Sequence, residues 1–323
     1  MISMKRDIGI DLIKFLAALL ITNSHMEKFY PDALGFMATG GAIGDALFFF
    51  CSGFTLFLKP LGRFDNWYKK RISRIFPTAF TWILLSVLLF GTDMSVAAAL
   101  KWSGGWFVKC IMIYYVILYI VNNLAINHLR ITFVITFVLI AVCYVVWDNP
   151  IGISIYGDTY FKWLMFFIYM LFGSIVGTGN VKAITGRMSV VLFAISILSF
   201  YGVVIFSQRI QLVNNLQFIS TVPLLGIVYS MYSFCNCKKA KQMFENKVIN
   251  RIVMFVGGMC LEIYIVQGNL LPKMNFGITY PANYILAFAI ILFCAYILKC
   301  FTKFLNQTFS DKSYNWIEII KAL

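Results

Sequence analysis

Apolar residues run through this chain in long blocks, and polar residues collect between them. Several blocks reach about 18 residues, the length a helix needs to cross roughly 30 Å of hydrocarbon. The pattern predicts ten spans, at 8–24, 42–59, 76–96, 106–122, 130–147, 161–178, 188–206, 216–234, 252–271 and 281–299. The second opens on Gly44-Asp45 and the eighth carries Pro223, so these two are the least regular. The longest connections are of roughly 16 to 18 residues, too short to fold anything soluble between spans. The expected fold class is therefore all-α: a polytopic membrane bundle of about ten transmembrane helices, forming a single integral-membrane domain over 1–323.

The segment from Phe64 to Pro77 breaks the block pattern. Trp67, Arg71 and Arg74 recur at helical spacing on one side, and Tyr68, Ile72, Ile75 and Phe76 fill another. This predicts an amphipathic helix lying at the inner membrane interface and ended by Pro77.

Composition agrees with the pattern. Of 323 residues, 61% are hydrophobic and 12% charged, whereas a soluble domain is about half apolar and a quarter charged. The net charge of +14 does not point to nucleic acid, because the basic residues alternate between loops instead of forming a stripe. The alternation has a direction. With the N-terminus inside, the inner segments hold 17 Lys and Arg and the outer loops 4. Both termini are thus expected in the cytoplasm. Lys5 and Arg6 before an apolar stretch imitate a signal peptide, but Asp11 and Lys14 interrupt it and no small-x-small site follows, so a retained first helix is expected. The eight Cys residues fall in or at the ends of apolar runs and read as small fillers. With only His25 and His128 and few acidic residues, a histidine-based metal site is not expected.

Ionisable residues inside spans are costly and usually face an interior cavity. The first span carries Asp11, Lys14 and, at its outer end, His25. Lys14 and His25 are eleven residues apart, three turns and about 20°, which places them on one helix face about 16 Å apart. Asp11 precedes Lys14 by one turn and can pair with it. His25 fits a general base for a hydroxyl or a transient acyl carrier; it also fits a polar residue at the outer interface. Asp45, at the entrance to the second span, is placed to orient an imidazole, and Ser52-Gly53 permits close helix approach. Glu262 falls near the middle of the ninth span, protonated or paired with a cation such as Lys14 or Lys109. Arg71, Arg74, Lys69 and Lys70 suit the phosphates of a nucleotide-bearing donor, or serve as a topology signal facing anionic lipid. The chain has no glycine-rich phosphate loop, no G-x-S-x-G elbow and no H-E-x-x-H pair.

Five of these stretches together resemble the acyltransferase 3 family of bacterial membrane acyltransferases, which includes polysaccharide O-acetyltransferases. Arg6 to His25 resembles the family's first helix, with its acidic residue, its basic residue and a His about three turns on. Gly44-Asp45-Ala-Leu-Phe-Phe-Phe-Cys-Ser-Gly-Phe54 resembles its G-V-D-x-F-F-x-x-S-G-F signature. Lys70 to Pro77 is similar to its R-x-x-R-I-x-P stretch, Gly105-Trp106-Phe107-Val108 to its W-F-L element, and Gly257 to Tyr264 to its late G-x-x-S-x-x-I-Y element. The sequence departs from the family at three positions. Lys14 stands for the commoner Arg, Cys260 for a frequent Ser, and Gln267 for a frequent second His.

The resemblance implies an acyl-CoA donor, with acetyl-CoA the expected one, entering from the cytosol. It implies transfer to a hydroxyl of a sugar or cell-surface polysaccharide, without a metal. His25 would be the base, with Asp45 and Glu262 completing the catalytic set. Lys14, Arg71 and Arg74 would hold the donor in a cavity open to both sides. The expected setting is the bacterial inner membrane, with lipid around the bundle, a glycan acceptor and no fused extracytoplasmic esterase-like domain. A transporter or flippase for a lipid-linked sugar is the alternative that intramembrane charges allow, although no inverted repeat supports it.

Overall fold

The computed structural model describes residues 7–58, 60–91, 105–147, 153–310 and 313–321. Helices and loops make up these residues, with no strand among them. The α-helices are α1 (Ile8–Ser24), α2 (Gly41–Leu56), α3 (Phe64–Phe90), α4 (Gly105–Ala125), α5 (Leu129–Val146), α6 (Lys162–Met165), α7 (Phe167–Gly177), α8 (Gly186–Ser207), α9 (Gln211–Asn215), α10 (Thr221–Asn236), α11 (Lys238–Met243), α12 (Lys247–Gly257), α13 (Cys260–Lys273), α14 (Ala282–Thr308) and α15 (Trp316–Ile320).

Six described helical runs are long and apolar enough to cross a membrane: Asp32–Leu56, Phe64–Leu89, Gly105–Val146, Gly186–Ser207, Gln217–Asn236 and Ala282–Thr308. A seventh arises if α12 and α13, bent by 60°, form one broken span. Each of the ten segments expected from sequence overlaps a helix or helix pair, with 59 and 92–96 outside the described residues, but fewer than ten meet the length criterion. The third run holds both α4 and α5, joined by a 3-10 turn at Ile126–His128. α1, at 17 residues, and Lys162–Gly177 fall short of a full span. Large apolar side chains such as Leu89, Val145, Val146 and Leu198 stand exposed on helix faces, a surface suited to hydrocarbon and not to water.

One boundary differs from expectation. Pro77 does not end the helix at the basic segment, because α3 runs from Phe64 to Phe90 with Pro77 inside it. Proline removes one N–H and crowds the preceding turn, but neighbouring hydroxyls can serve the disturbed backbone. Thr81 Oγ1 donates to Pro77 O at 2.7 Å, an ordinary i to i−4 contact one turn further along the same helix. The basic segment and the following apolar span are therefore one continuous rod. It ends on Gly91, left-handed at φ 57°, whose N–H donates to Val87 O at 3.0 Å. Pro223, by contrast, sits in the first turn of α10, where its missing N–H costs little.

The chain divides into two compact units. The first comprises Met1–Ile13, Ala42–Leu61 and Val116–Asn250. Within it α10 packs along α8, and α5 against α7. The backbones of α2 and α7 approach each other closely at three glycines. A Cβ on Gly53 would overlap the Met170 carbonyl, one on Gly173 the Phe50 carbonyl, and one on Gly177 the Phe54 carbonyl. Ser174 Oγ donates to Gly53 O at 3.2 Å. Glycine lets two backbones meet where lipid offers no hydrophobic drive to association, so the packing role of Gly53 expected from sequence is the one observed.

The second unit comprises Lys14–Gly41, Gly62–Tyr115 and Arg251–Leu323. Here α3, α13 and α14 pack on one another. The helix breaks between α12 and α13, at Gly258-Met259. A break inside a membrane helix frees backbone groups that need partners. Lys299 Nζ, from α14, donates to Gly258 O at 2.6 Å, and the Cys260 thiol reaches Gly257 O at 3.1 Å.

Candidate active site

The second unit carries the geometry around His25. α1 stops at Ser24, one residue short of it. The turn closes tightly: His25 N donates to Thr22 O at 3.1 Å and Met26 N to Asn23 O at 3.0 Å. Lys14 is half-buried within the helix, whereas His25 is exposed in the closing turn. The single continuous face expected for the two therefore ends just before the imidazole.

The chain beyond His25 is braced by one side chain. Asn23 Nδ2 donates to Met37 O at 2.7 Å and Thr39 O at 3.0 Å. Its Oδ1 accepts from Tyr30 Oη at 2.8 Å and from Tyr284 Oη at 2.9 Å. Two donors and two acceptor sites are the full capacity of an asparagine amide. Lys28 Nζ donates to Met274 O at 2.7 Å, and Asn283 Nδ2 to Phe29 O at 3.0 Å. Phe29 stacks on Phe276 with ring centroids 5.9 Å apart. The segment that follows His25 is thus pinned to α13, α14 and the loop between them.

A cavity of about 550 Å³ opens there. His25 and Tyr30 line it from one side, and Gln267 and Gly268 of α13 from the other. Two carboxylates, Glu27 and Asp32, and the ammonium of Lys28 complete its polar lining. Gln267 is 2% exposed, and its Oε1 has no hydrogen-bond partner among the described residues.

Of the six candidate residues, all described, only His25 lines this cavity. Glu262 is buried in the first turn of α13, five residues before Gln267. Lys299 exerts the largest attraction on it, with Arg74 and Lys303 adding to it. Lys14 meets the same helix through its backbone, where the Cys260 thiol donates to Lys14 O at 3.3 Å. Arg71 is clamped between rings, its guanidinium carbon 5.2 Å from the Trp67 centroid and 5.4 Å from that of Tyr115. Its Nε is buried without a hydrogen-bond partner among the described residues. Arg74 is exposed one turn further along α3. Asp45 belongs to the first unit, half-buried, with Oδ1 sealed and without a hydrogen-bond partner among the described residues. The cation acting on it is Lys162, itself 6% exposed and 3.6 Å from Asp158. Sequence reasoning missed Asn23, Lys162 and Lys299 as organising residues. Each is a polar group within or at the end of an apolar block, which is the signal that marked His25 and Glu262.

Among the described residues no three His, Cys, Asp or Glu side chains gather as a cation site. What the cavity offers is an imidazole, an amide oxygen without a partner among the described residues, and carboxylates around a space large enough for a sugar ring. The family model described as an acyltransferase domain matches residues 7–302. No curated protein and no solved structure matches the chain. With nearly the whole length matched, and with helices able to cross a membrane, the chain belongs to the acyltransferase 3 family.

Proposed function

We propose that this membrane acyltransferase moves an acetyl group from acetyl-CoA to a hydroxyl of a sugar in a cell-surface glycan. The observation that carries the reading is His25 at the wall of a cavity of about 550 Å³. The imidazole takes the hydroxyl proton as the sugar oxygen attacks the thioester carbonyl carbon. A C–O bond forms, the C–S bond breaks, and the proton passes to the departing sulfur. The products are the O-acetyl sugar and free CoA. Positioning and base catalysis together supply the rate.

Arg71 and Arg74 hold the donor's phosphates, and Lys14 assists from α1. Arg71 supports this assignment because its ring clamp holds the guanidinium between Trp67 and Tyr115. A planar, oriented fork of that kind suits phosphate oxygens. Glu262, on the helix that also carries Gln267, tunes the centre. The Lys and Arg distribution, 17 inside against 4 outside, supports ten crossings of a bacterial plasma membrane with both termini cytoplasmic. The donor then arrives from the cytosol, and the glycan meets the His25 end.

The test is direct. Purified protein in lipid vesicles is incubated with radiolabelled acetyl-CoA and candidate glycans. Label released from the glycan by mild base, as an ester, is the expected result. Glycan that crosses the vesicle membrane without gaining label would assign the protein to transport instead.

A further inference from the structure

Gln267 is the buried polar side chain in the His25 cavity that the reaction above does not use. It is 2% exposed, on the helix facing His25 across the cavity, and its Oε1 has no partner among the described residues. Buried side-chain oxygens are normally hydrogen-bonded, so an orphan at a cavity wall asks for a ligand group. The next residue, Gly268, is exposed and also lines the cavity. A Cβ added there meets no atom within 4 Å. Glycine is not needed there for packing against another helix, and its missing side chain leaves open space along the cavity wall.

The polar character of the cavity narrows what fits. Its lining holds two carboxylates, Glu27 and Asp32, against one ammonium, Lys28, which is committed to the Met274 and Pro272 carbonyls at 2.7 and 3.3 Å. Such a lining favours a ligand rich in hydroxyl donors over an anionic one. Tyr30, held by Asn23 and flanked by the Tyr280 and Tyr284 rings at 5.5 and 5.2 Å, adds a fixed aromatic wall.

We propose that Gln267 is the specificity-determining contact for the acceptor, its amide binding a non-reacting hydroxyl of a neutral sugar so that another hydroxyl meets His25. The proposal rests on the acetyl-transfer reading and adds no bond-making step to it. A site built to hydrogen-bond a hydroxyl rejects the analogue lacking it, because the protein group is then left buried and unpaired.

The experiment uses the full chain in lipid vesicles, acetyl-CoA, and methyl hexopyranosides with their single-deoxy analogues. Wild type is expected to disfavour one deoxy analogue by about tenfold or more in kcat/KM. Gln267→Leu is expected to treat that analogue and its parent alike, within about twofold. A general loss of structure would slow both and leave their ratio intact. Gly268→Val, whose added Cβ meets no protein atom, is expected to raise KM for the glycoside while KM for acetyl-CoA stays put, and it carries the test if Gln267→Leu does not fold. Wild-type transfer with undiminished discrimination in Gln267→Leu, or an unaltered glycoside KM in Gly268→Val, overturns the assignment of Gln267 alone. No transfer by wild type to any glycoside overturns the acetyl-transfer reading and this inference with it.

Discussion

The ammonium of Lys299 donates to the carbonyl of Gly258 at 2.6 Å, at the point where one span breaks into α12 and α13. The same ammonium is the strongest attraction on Glu262, the buried carboxylate that opens α13. One cation thus serves both consequences of the break: a freed backbone oxygen and a carboxylate taken from water. Lys299→Met removes both services. A hydrogen bond to a charged group is worth about 1.5–3 kcal/mol, so a loss of that order is expected in thermal unfolding in nanodiscs. Adding Glu262→Gln should recover part of it, because a lone buried charge costs more than a missing pair. Equal unfolding midpoints for wild type and Lys299→Met would refute this role.

The glycine contacts of α2 and α7 predict a different pattern. Gly53→Ala and Gly173→Ala place a methyl against a carbonyl oxygen of the facing helix. Overpacking of this kind costs about 1–3 kcal/mol. Gly202, inside α8, has nothing within 4 Å of an added Cβ. Gly202→Ala should therefore be neutral or slightly stabilising, since alanine is the better helix former. Folded yield after detergent extraction ranks the three; equal yields would contradict the close approach.

The two helix contacts show which features could be read from the sequence. Ser52-Gly53 announced close packing because small residues in an apolar run have few other uses. Local periodicity likewise located helix material at each of the ten apolar blocks. Pro77 misled, because the rule that proline ends a helix weighs the local backbone and not the tolerance that packing gives proline inside a membrane helix. Asn23 was invisible for another reason. Its four partners lie 7, 14, 16 and 261 residues away, and no periodicity connects them. Lys299 and Gly258 are separated by 41 residues and meet only once α14 has packed on α13. His25 was found as a titratable residue at the end of a span, but Gln267, which shares its cavity, entered only as a departure from a family pattern.

Asn23→Leu should loosen the segment after His25 without unfolding the bundle. The substitution abolishes four hydrogen bonds and leaves the Tyr30 and Tyr284 hydroxyls without that acceptor. Hydrogen exchange over residues 27–39 is expected to accelerate by at least tenfold, since amide protection tracks the free energy of local opening. Exchange in α8 serves as the internal reference and should not move. Protection at 27–39 equal to wild type would mean that Lys28 and Asn283 hold the segment unaided.

Arg71→Lys separates charge from geometry at the proposed donor site. Lysine keeps the positive charge but loses the planar fork and the stacking that Trp67 and Tyr115 give guanidinium. Contacts of that kind contribute about 0.5–2 kcal/mol. KM for acetyl-CoA should rise roughly tenfold, with KM for the acceptor unchanged. A donor KM within twofold of wild type would remove Arg71 from the donor site.

His25→Ala tests the base itself. The side chain is exposed in a turn whose backbone bonds, His25 N to Thr22 O and Met26 N to Asn23 O, do not depend on the imidazole. Removal should therefore leave the protein folded, with cooperative thermal unfolding retained in nanodiscs. Acetyl transfer should fall by about a hundred- to ten-thousand-fold, the span of a lost general base. The loss should appear in kcat with KM for acetyl-CoA little changed, because the imidazole acts on the proton in flight and not on the bound donor. His25→Gln is the sharper variant: it restores a polar side chain of similar reach but cannot take a proton at neutral pH, so it should be as slow as alanine. A His25→Gln enzyme that retained wild-type kcat would show that the cavity only needs a hydrogen-bonding group at this wall, and the base would have to be sought elsewhere.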